Sequence, residues 1–476
     1  MDMLIRFSGC SRLTAVAATL LAALFSTVPP LLAQSRIDTE KLGEEAVRRT
    51  REYVRINTTN PPGNESQTVA YLARILKDEG ISFDTASSAP GRANIWARLK
   101  GSGSEPALVL LHHMDVVPAD PRYWDVDPFS ATVKDGNIFG RGTLDTKTLG
   151  IFQLETFLAL HRAQVPLKRD VIFIATADEE AGGAYGAGWL VKNRPDAFKG
   201  AGLLLTEGGW GTLRDGRQQF FIEVTQKVPL WLKLVSTGKP GHGARPPVSS
   251  SVNALVRALY RIQTHDFKPR LVPAVDAYFK GLAANAGPEW KNAFQNMTQS
   301  VTGKDFLLRL QTDQPELAAL VRNTCSITML QASNKVNVIP PEADAQVDCR
   351  LLQDQDPAAF VTELAAVIAD PGIKIEKILG FSPAVSSTDT PLYRAIVEVT
   401  RRHFPEANIV PGVSPGFTDS HFFRDLGIAS YGFAPFLIPA SEESGVHGNN
   451  ERISIENVKR GTAIMLEIVQ LVADRQ

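Results

Sequence analysis

VIFIATADEEAGGAYGAG, the stretch from Val171 to Gly188, holds the transition that decides the fold. Val171 to Ala175 is continuously apolar, Asp178, Glu179 and Glu180 follow at once, and a glycine-rich turn then leads into a helical pattern. A run this short, with no polar alternation, is what a strand buried on both faces of a mostly parallel sheet requires. Two further runs, Ala107 to Leu111 and Leu203 to Leu205, end the same way, the first in His113 and Asp115 and the second in Glu207. In open α/β sheets the ligand crevice lies beyond the carboxyl ends of the strands, so these side chains are expected to converge there.

Outward from this core, the chain between Trp231 and Leu379 changes rhythm to strand, helix, helical insert, two strands, helix, strand. That order predicts a ferredoxin-like βαββαβ unit. From Pro391 the earlier helix-and-strand pattern resumes. The expected fold class is therefore α/β. A mixed, mostly parallel sheet with helices on both faces is built from residues 34–226 and 383–476, and the βαββαβ unit is inserted at 227–382 with a helical insert at about 266–322.

Before these domains, Arg6 and Arg12 precede an uncharged run from Leu13 to Leu32 that closes on Ala33. Residues 1–33 are expected to be a signal peptide, with an uncleaved anchor as the competing reading, which places the processed chain in a secreted or periplasmic compartment without a stable membrane span. The 50 basic and 51 acidic side chains nearly cancel, so nothing draws this chain to nucleic acid or to an anionic membrane, and a small-molecule substrate is the expected partner. Only three cysteines are present, and Cys10 lies in the leader. A disulfide framework is excluded, and Cys325 and Cys349 either pair or stay apart as two buried thiols.

The chemistry is carried by clusters that are weak singly. His113 and Asp115 stand two apart at a strand end, where the carboxylate is placed to orient the imidazole, although such a pair is more often a surface or capping feature. In GRGTLDTKTLG, Gly140 and Gly142 make a tight turn that presents Asp145 beside Lys147, and the competing reading is a solvated salt bridge. A carboxylate in such a turn has two oxygens with which to bridge two ions. Glu179 and Glu180 repel each other at the mouth of a core strand unless a cation or a proton offsets them. Carboxylates and imidazoles are the ligands a zinc-like ion takes at about 2.0–2.2 Å, and a hydrolytic site keeps one position open.

These clusters, with TEGG at Thr206 to Gly209 and GVHGNNERI at Gly445 to Ile453, run in one order from His113 to Ile453. In this the chain resembles the di-zinc family of aminoacylase, glutamate carboxypeptidase and succinyl-diaminopimelate desuccinylase. The leader, HMDVVP and the helical insert are most similar to its carboxypeptidase S and N-fatty-acyl-amino-acid hydrolase branch. The resemblance implies a metallopeptidase or amidohydrolase with two Zn2+, for which Co2+ or Mn2+ could substitute, cutting an amide next to a free carboxylate. Asp145 would bridge the ions, with His113 and Glu207 completing one and Glu180 and His447 the other. Glu179 would take a proton from the water bridging the ions and return it to the leaving amine. A cis peptide is implied after Asp145.

The resemblance makes the inserted unit a lid that pairs two copies into a homodimer. His242, in STGKPGHGARPP, would polarise the substrate carbonyl, and Asn337 would contact the substrate. Arg350 would grip the carboxylate through its planar fork, assisted by Gly416, Thr418 and Ser420 of PGFTDSHFF. Arg350 beside Asp348 reads equally well as a structural pair. His112, His161, His265, His403 and His421 are expected to be structural. An aminopeptidase of the same family and a metal-containing binding protein without catalysis are the alternatives.

Overall fold

The computed structural model describes residues 37–474, and the expected leader lies outside the described residues. A sheet of ten strands organises the chain. At its centre Val171–Thr176, Ala107–His113, Ala201–Thr206 and Ala429–Gly432 lie side by side, parallel, in that order. Every residue of the first two is buried. Successive side chains point to opposite faces, so Leu108 and Leu110 join a core with helices Thr39–Val54, Lys147–Arg162 and Ile455–Ala473, while Val109 and Leu111 join another with Leu190 and Phe423. Each such side chain contributes about 1.5–3 kcal/mol relative to exposure. Helices therefore cover both faces, as the unbroken apolar runs require.

The Ala107 strand extends beyond its apolar run, because His112 and His113 continue the pairing, opposite Ala175 and Thr176. The functional end of the strand is thus held by the same ladder as its core.

A second, antiparallel sheet runs Thr324–Gln331, Glu342–Leu351, Val228–Thr237, Ile373–Gly380. Numbered along the chain its strands stand 2-3-1-4, with helices Ser251–Thr264 and Pro357–Ile368 packed on one face, a ferredoxin-like βαββαβ arrangement. Glu342–Leu351 alternates strictly between buried and less buried residues, as a strand with one covered face must. Helices between residues 273 and 319 have their own core around Phe279, Trp290 and Phe294 and rest on the Asn408–Ser414 strand, where Asn408 Nδ2 donates to the Gly281 carbonyl at 2.9 Å. Cys325 and Cys349 face each other across antiparallel strands and form a disulfide, which decides between the two readings of that pair. Among the described residues no helix is long and apolar enough to cross a membrane.

Candidate metal centre and active site

The three central strands deliver their C-terminal residues to one place. His113 closes its strand, Glu207 follows Ala201–Thr206, and Glu179 and Glu180 form a short 3-10 turn just after Val171–Thr176. Asp178 enters that turn with φ 71°, a left-handed conformation that turns the chain sharply at the strand end. Asp145 arrives from the Gly140–Leu144 turn, with a cis peptide to Thr146, and His447 from the loop before the last helix.

Two carboxylate–imidazole triads that could each hold a metal ion result, and they share one residue. His113 Nε2 lies 3.0 Å from Asp145 Oδ1 and 3.3 Å from Glu207 Oε2. His447 Nε2 lies 2.9 Å from Asp145 Oδ2 and 3.1 Å from Glu180 Oε2. The two oxygens of Asp145 thus serve different triads. A tetrahedral ion bound at about 2.0–2.2 Å has ligand-to-ligand edges of roughly 3.3–3.6 Å. The imidazole–carboxylate edges of both triads, 2.9–3.3 Å, come close to this, with all ligand atoms of each triad within 4.8 Å of one another.

The electrostatics point the same way. Burial, then Asp145 and Glu180, push the Glu207 carboxyl up to about 8. Burial and Glu207 raise Glu179 well above the carboxylate range, and burial and Asp145 raise Glu180. His447 is pushed up to about 10 by its hydrogen bonds to Asp145 and Glu180. A crowd of buried carboxylates is costly until positive charge offsets it, and divalent ions in the two triads would do so.

His113 Nδ1 is 2.9 Å from the backbone carbonyl of Asp115, with the Asp115 carboxylate farther off at 3.6 Å. A carbonyl only accepts, so Nδ1 carries the proton and the Nε2 lone pair is free for a metal. Asp115 therefore orients the imidazole mainly through its backbone. Its carboxylate does something the sequence reading did not assign: it accepts from Glu179 N at 3.1 Å, Glu180 N at 3.2 Å and Asn60 Nδ2 at 2.7 Å, fixing the turn that carries both glutamates.

Asn60 also donates to Asp178, which Arg92 pairs at 2.7 Å while gripping Glu65 with two bonds of 2.8 Å. These partners come from distant segments, and the break at Asn60-Pro61-Pro62-Gly63 was their only sequence signal. Lys147 does not pair with Asp145 in a solvated bridge. It is fully buried, donates to the Ile56 carbonyl at 2.6 Å, and burial lowers its pKa to about 7.

The substrate-contact residues are distributed less tightly. His242 lies on an exposed two-stranded ribbon and Asn337 in the exposed turn just before its second strand, with Gly243 N donating to the Asn337 carbonyl at 2.9 Å, and neither residue belongs to a triad. Arg350 lies over the Phe417 ring and grips Asp348 at 2.7 and 3.1 Å, leaving Nη1 without a partner. Gly416 is half-buried, and its N–H donates to Ser414 Oγ. Thr418 and Ser420 are buried and share a 2.6 Å hydrogen bond, and Ser420 Oγ also accepts from Arg424 at 2.9 Å. Asp419 between them, unassigned by the sequence reading, accepts from Thr176 Oγ1 at 2.8 Å beneath the site.

His112 bonds the Tyr53 hydroxyl at 3.0 Å in the core. His421 is stacked against Phe381, and burial holds it neutral.

A mostly parallel α/β sheet whose strand ends bring two carboxylate–imidazole triads together on a shared aspartate, beside one further carboxylate, defines a metal-dependent hydrolase. Residues 109–471 match the model of peptidase family M20/M25/M40, and the chain belongs to this family. It is 31% identical over 382 residues to the N-fatty-acyl-amino acid synthase/hydrolase PM20D1.1 of Danio rerio, covering 78% of this chain and 73% of that one. To the aminoacylase-1 of Sus scrofa it is 27% identical, covering 89% and 94%. Among solved structures it is similar in fold to the M20 family metallo-carboxypeptidase Sso-CP2 from Sulfolobus solfataricus, with TM-score 0.70 at 20% identity over 90% of this chain and 99% of that one. Human carnosine dipeptidase 1 shares the fold with TM-score 0.62 at 18% identity over 91% and 98%. The chain is a metal-dependent amide hydrolase.

Proposed function

We propose that this hydrolase is a di-zinc enzyme that releases an amino acid from N-acyl amino acids, with peptides bearing a free C-terminal carboxylate as a second substrate class. The observation that carries the reading is Glu179, buried beside Glu180 yet part of neither triad. Bound zinc ions polarise a carbonyl and lower the pKa of water to about 7. Glu179 accepts the proton of the attacking water on a carboxylate oxygen and returns it to the amine nitrogen as the C–N bond breaks. Arg350 receives the substrate carboxylate through its unpartnered Nη1, with Gly416 and Thr418 alongside and Ser420 steadying Thr418 from behind. The names of the PM20D1.1 and aminoacylase relatives support the acyl-amino-acid class.

Metal-loaded protein should hydrolyse N-acyl amino acids and spare the matching amides that lack the carboxylate. Chelation should stop turnover and Zn2+ should restore it. Arg350→Ala should raise KM for carboxylate substrates about tenfold or more, the worth of one charge-assisted hydrogen bond. Because Asp348 already takes two bonds from the fork, an amine-reading aminopeptidase is the second reading. An unchanged KM for carboxylate-bearing substrates in the Arg350→Ala variant would select it.

We read residues 227–382 as the lid and residues 1–33 as a secretory leader, removed from the processed chain. The sheet edge Thr324–Gln331 exposes Ile327, Met329 and Leu330, a strand edge and apolar patch suited to a second copy, which would bring His242 and Asn337 to its site. A solution mass twice that of the chain is expected, and a monomer at micromolar concentration would remove the dimer from this reading.

A further inference from the structure

The loop that presents the shared ligand Asp145 is wound around one carboxylate, that of Glu451. Glu451 is fully buried. Its Oε1 accepts from Leu144 N at 2.7 Å and Asp145 N at 3.1 Å, and its Oε2 accepts from Gly142 N at 2.9 Å and Arg141 Nη1 at 2.6 Å. Its backbone carbonyl takes the Gly140 N–H at 2.9 Å. A carboxylate offers about four acceptor positions, and here all are used by a single turn. No water can replace it at this depth without losing several of these bonds at once.

Arg141 carries the same clamp to the other side of the site. Besides Glu451, its guanidinium donates to the Gly448 carbonyl at 2.6 Å and to the Gly445 carbonyl at 3.4 Å. Those carbonyls flank His447, which has φ 58°, a left-handed conformation that a residue with a Cβ keeps only when its surroundings impose it. One buried ion pair therefore fixes both the backbone that aims Asp145 and the loop that holds His447 in an unfavourable conformation.

We propose that Glu451 and Arg141 are positioning residues for the metal centre. Glu451 sets the Asp145 carboxylate so that each oxygen faces a different triad, and Arg141 couples that setting to His447. Neither touches the reacting atoms. This rests on the reading of the two triads as cation sites.

The test is Co2+ titration into the metal-free full-length chain, followed by calorimetry and by the visible absorption of the bound ion. The parent should bind two ions. Glu451→Gln keeps the shape but turns an N–H2 toward backbone donors, and should weaken both ions by about 10- to 100-fold, the usual cost of losing a partner that orients a ligand. Arg141→Lys keeps the charge but loses the fork. It should weaken the His447-bound ion more than the other and change its absorption band, which keeps the proposal testable if Glu451→Gln fails to fold. Glu155→Gln, a buried carboxylate paired with Arg49 outside the site, serves as the control for lost stability and should bind both ions as the parent does. Two ions bound by the parent and with equal affinity by Glu451→Gln and Arg141→Lys would overturn the positioning role. Fewer than two ions bound by the parent would instead overturn the reading of the triads.

Discussion

Glu179→Gln is expected to lower kcat by about 100- to 10,000-fold, the usual contribution of a positioned general base, with KM and bound metal left near the parent values. Glutamine matches glutamate in size but cannot take up the proton of the attacking water. The backbone N–H of Glu179 still donates to Asp115 in the variant, so the turn holding Glu180 is preserved. The adjacent residue supplies the contrast. Glu180 belongs to the His447 triad, so Glu180→Gln should lose metal along with activity. Turnover and metal content measured on the two neighbouring variants separate a base from a ligand. If Glu179→Gln turns over at the parent rate, the assignment of the base is wrong. If it loses metal as Glu180→Gln does, Glu179 is a ligand and the base lies elsewhere.

The clustering of these side chains was legible in the sequence because it follows strand geometry, whereas the division between base and ligand was implied only by the family resemblance. An unbroken apolar run followed at once by acidic or imidazole groups marks a strand buried on both faces with its C-terminal end at the ligand crevice, and His113, Glu179, Glu180 and Glu207 all stand at such ends. The cis peptide after Asp145, implied by family resemblance, is present. The supports behind the ligands were not legible. Asn60 and Asp115 meet across 55 residues, Arg92 and Asp178 across 86, and Arg141 and Glu451 across 310, and no local pattern encodes pairings that only the closed sheet creates. Asp115 shows the limit most clearly. Its proximity to His113 suggested a carboxylate on the imidazole, yet the neighbour in sequence supplies the backbone carbonyl, and the carboxylate serves the glutamate turn from another strand. Cys325 and Cys349 could be joined only once the strand register placed them opposite each other.

The sharing of Asp145 carries the second large effect. Each of its oxygens faces a different imidazole, Oδ1 that of His113 and Oδ2 that of His447, and it is the one residue common to both triads. An asparagine in its place has one oxygen to offer and a nitrogen that is no ligand, so Asp145→Asn can complete only one triad. It should bind one ion tightly at most and lose turnover by about 1,000-fold or more, since several kcal/mol of charge stabilisation go with the second ion and each 1.4 kcal/mol is tenfold in rate. His447→Ala also removes one ligand, but from one triad only, and should leave the ion at His113 and Glu207 with near-parent affinity. Thermal denaturation gives an independent reading, because an ion at 100 times its Kd adds about 2.7 kcal/mol to the folded state. The rise in Tm on adding Zn2+ should be smaller in Asp145→Asn than in the parent, while the backbone bond from Asp145 to Glu451 survives the substitution and keeps the loop in place. Two tightly held ions in Asp145→Asn, by metal analysis after dialysis, would mean that the aspartate does not bridge them.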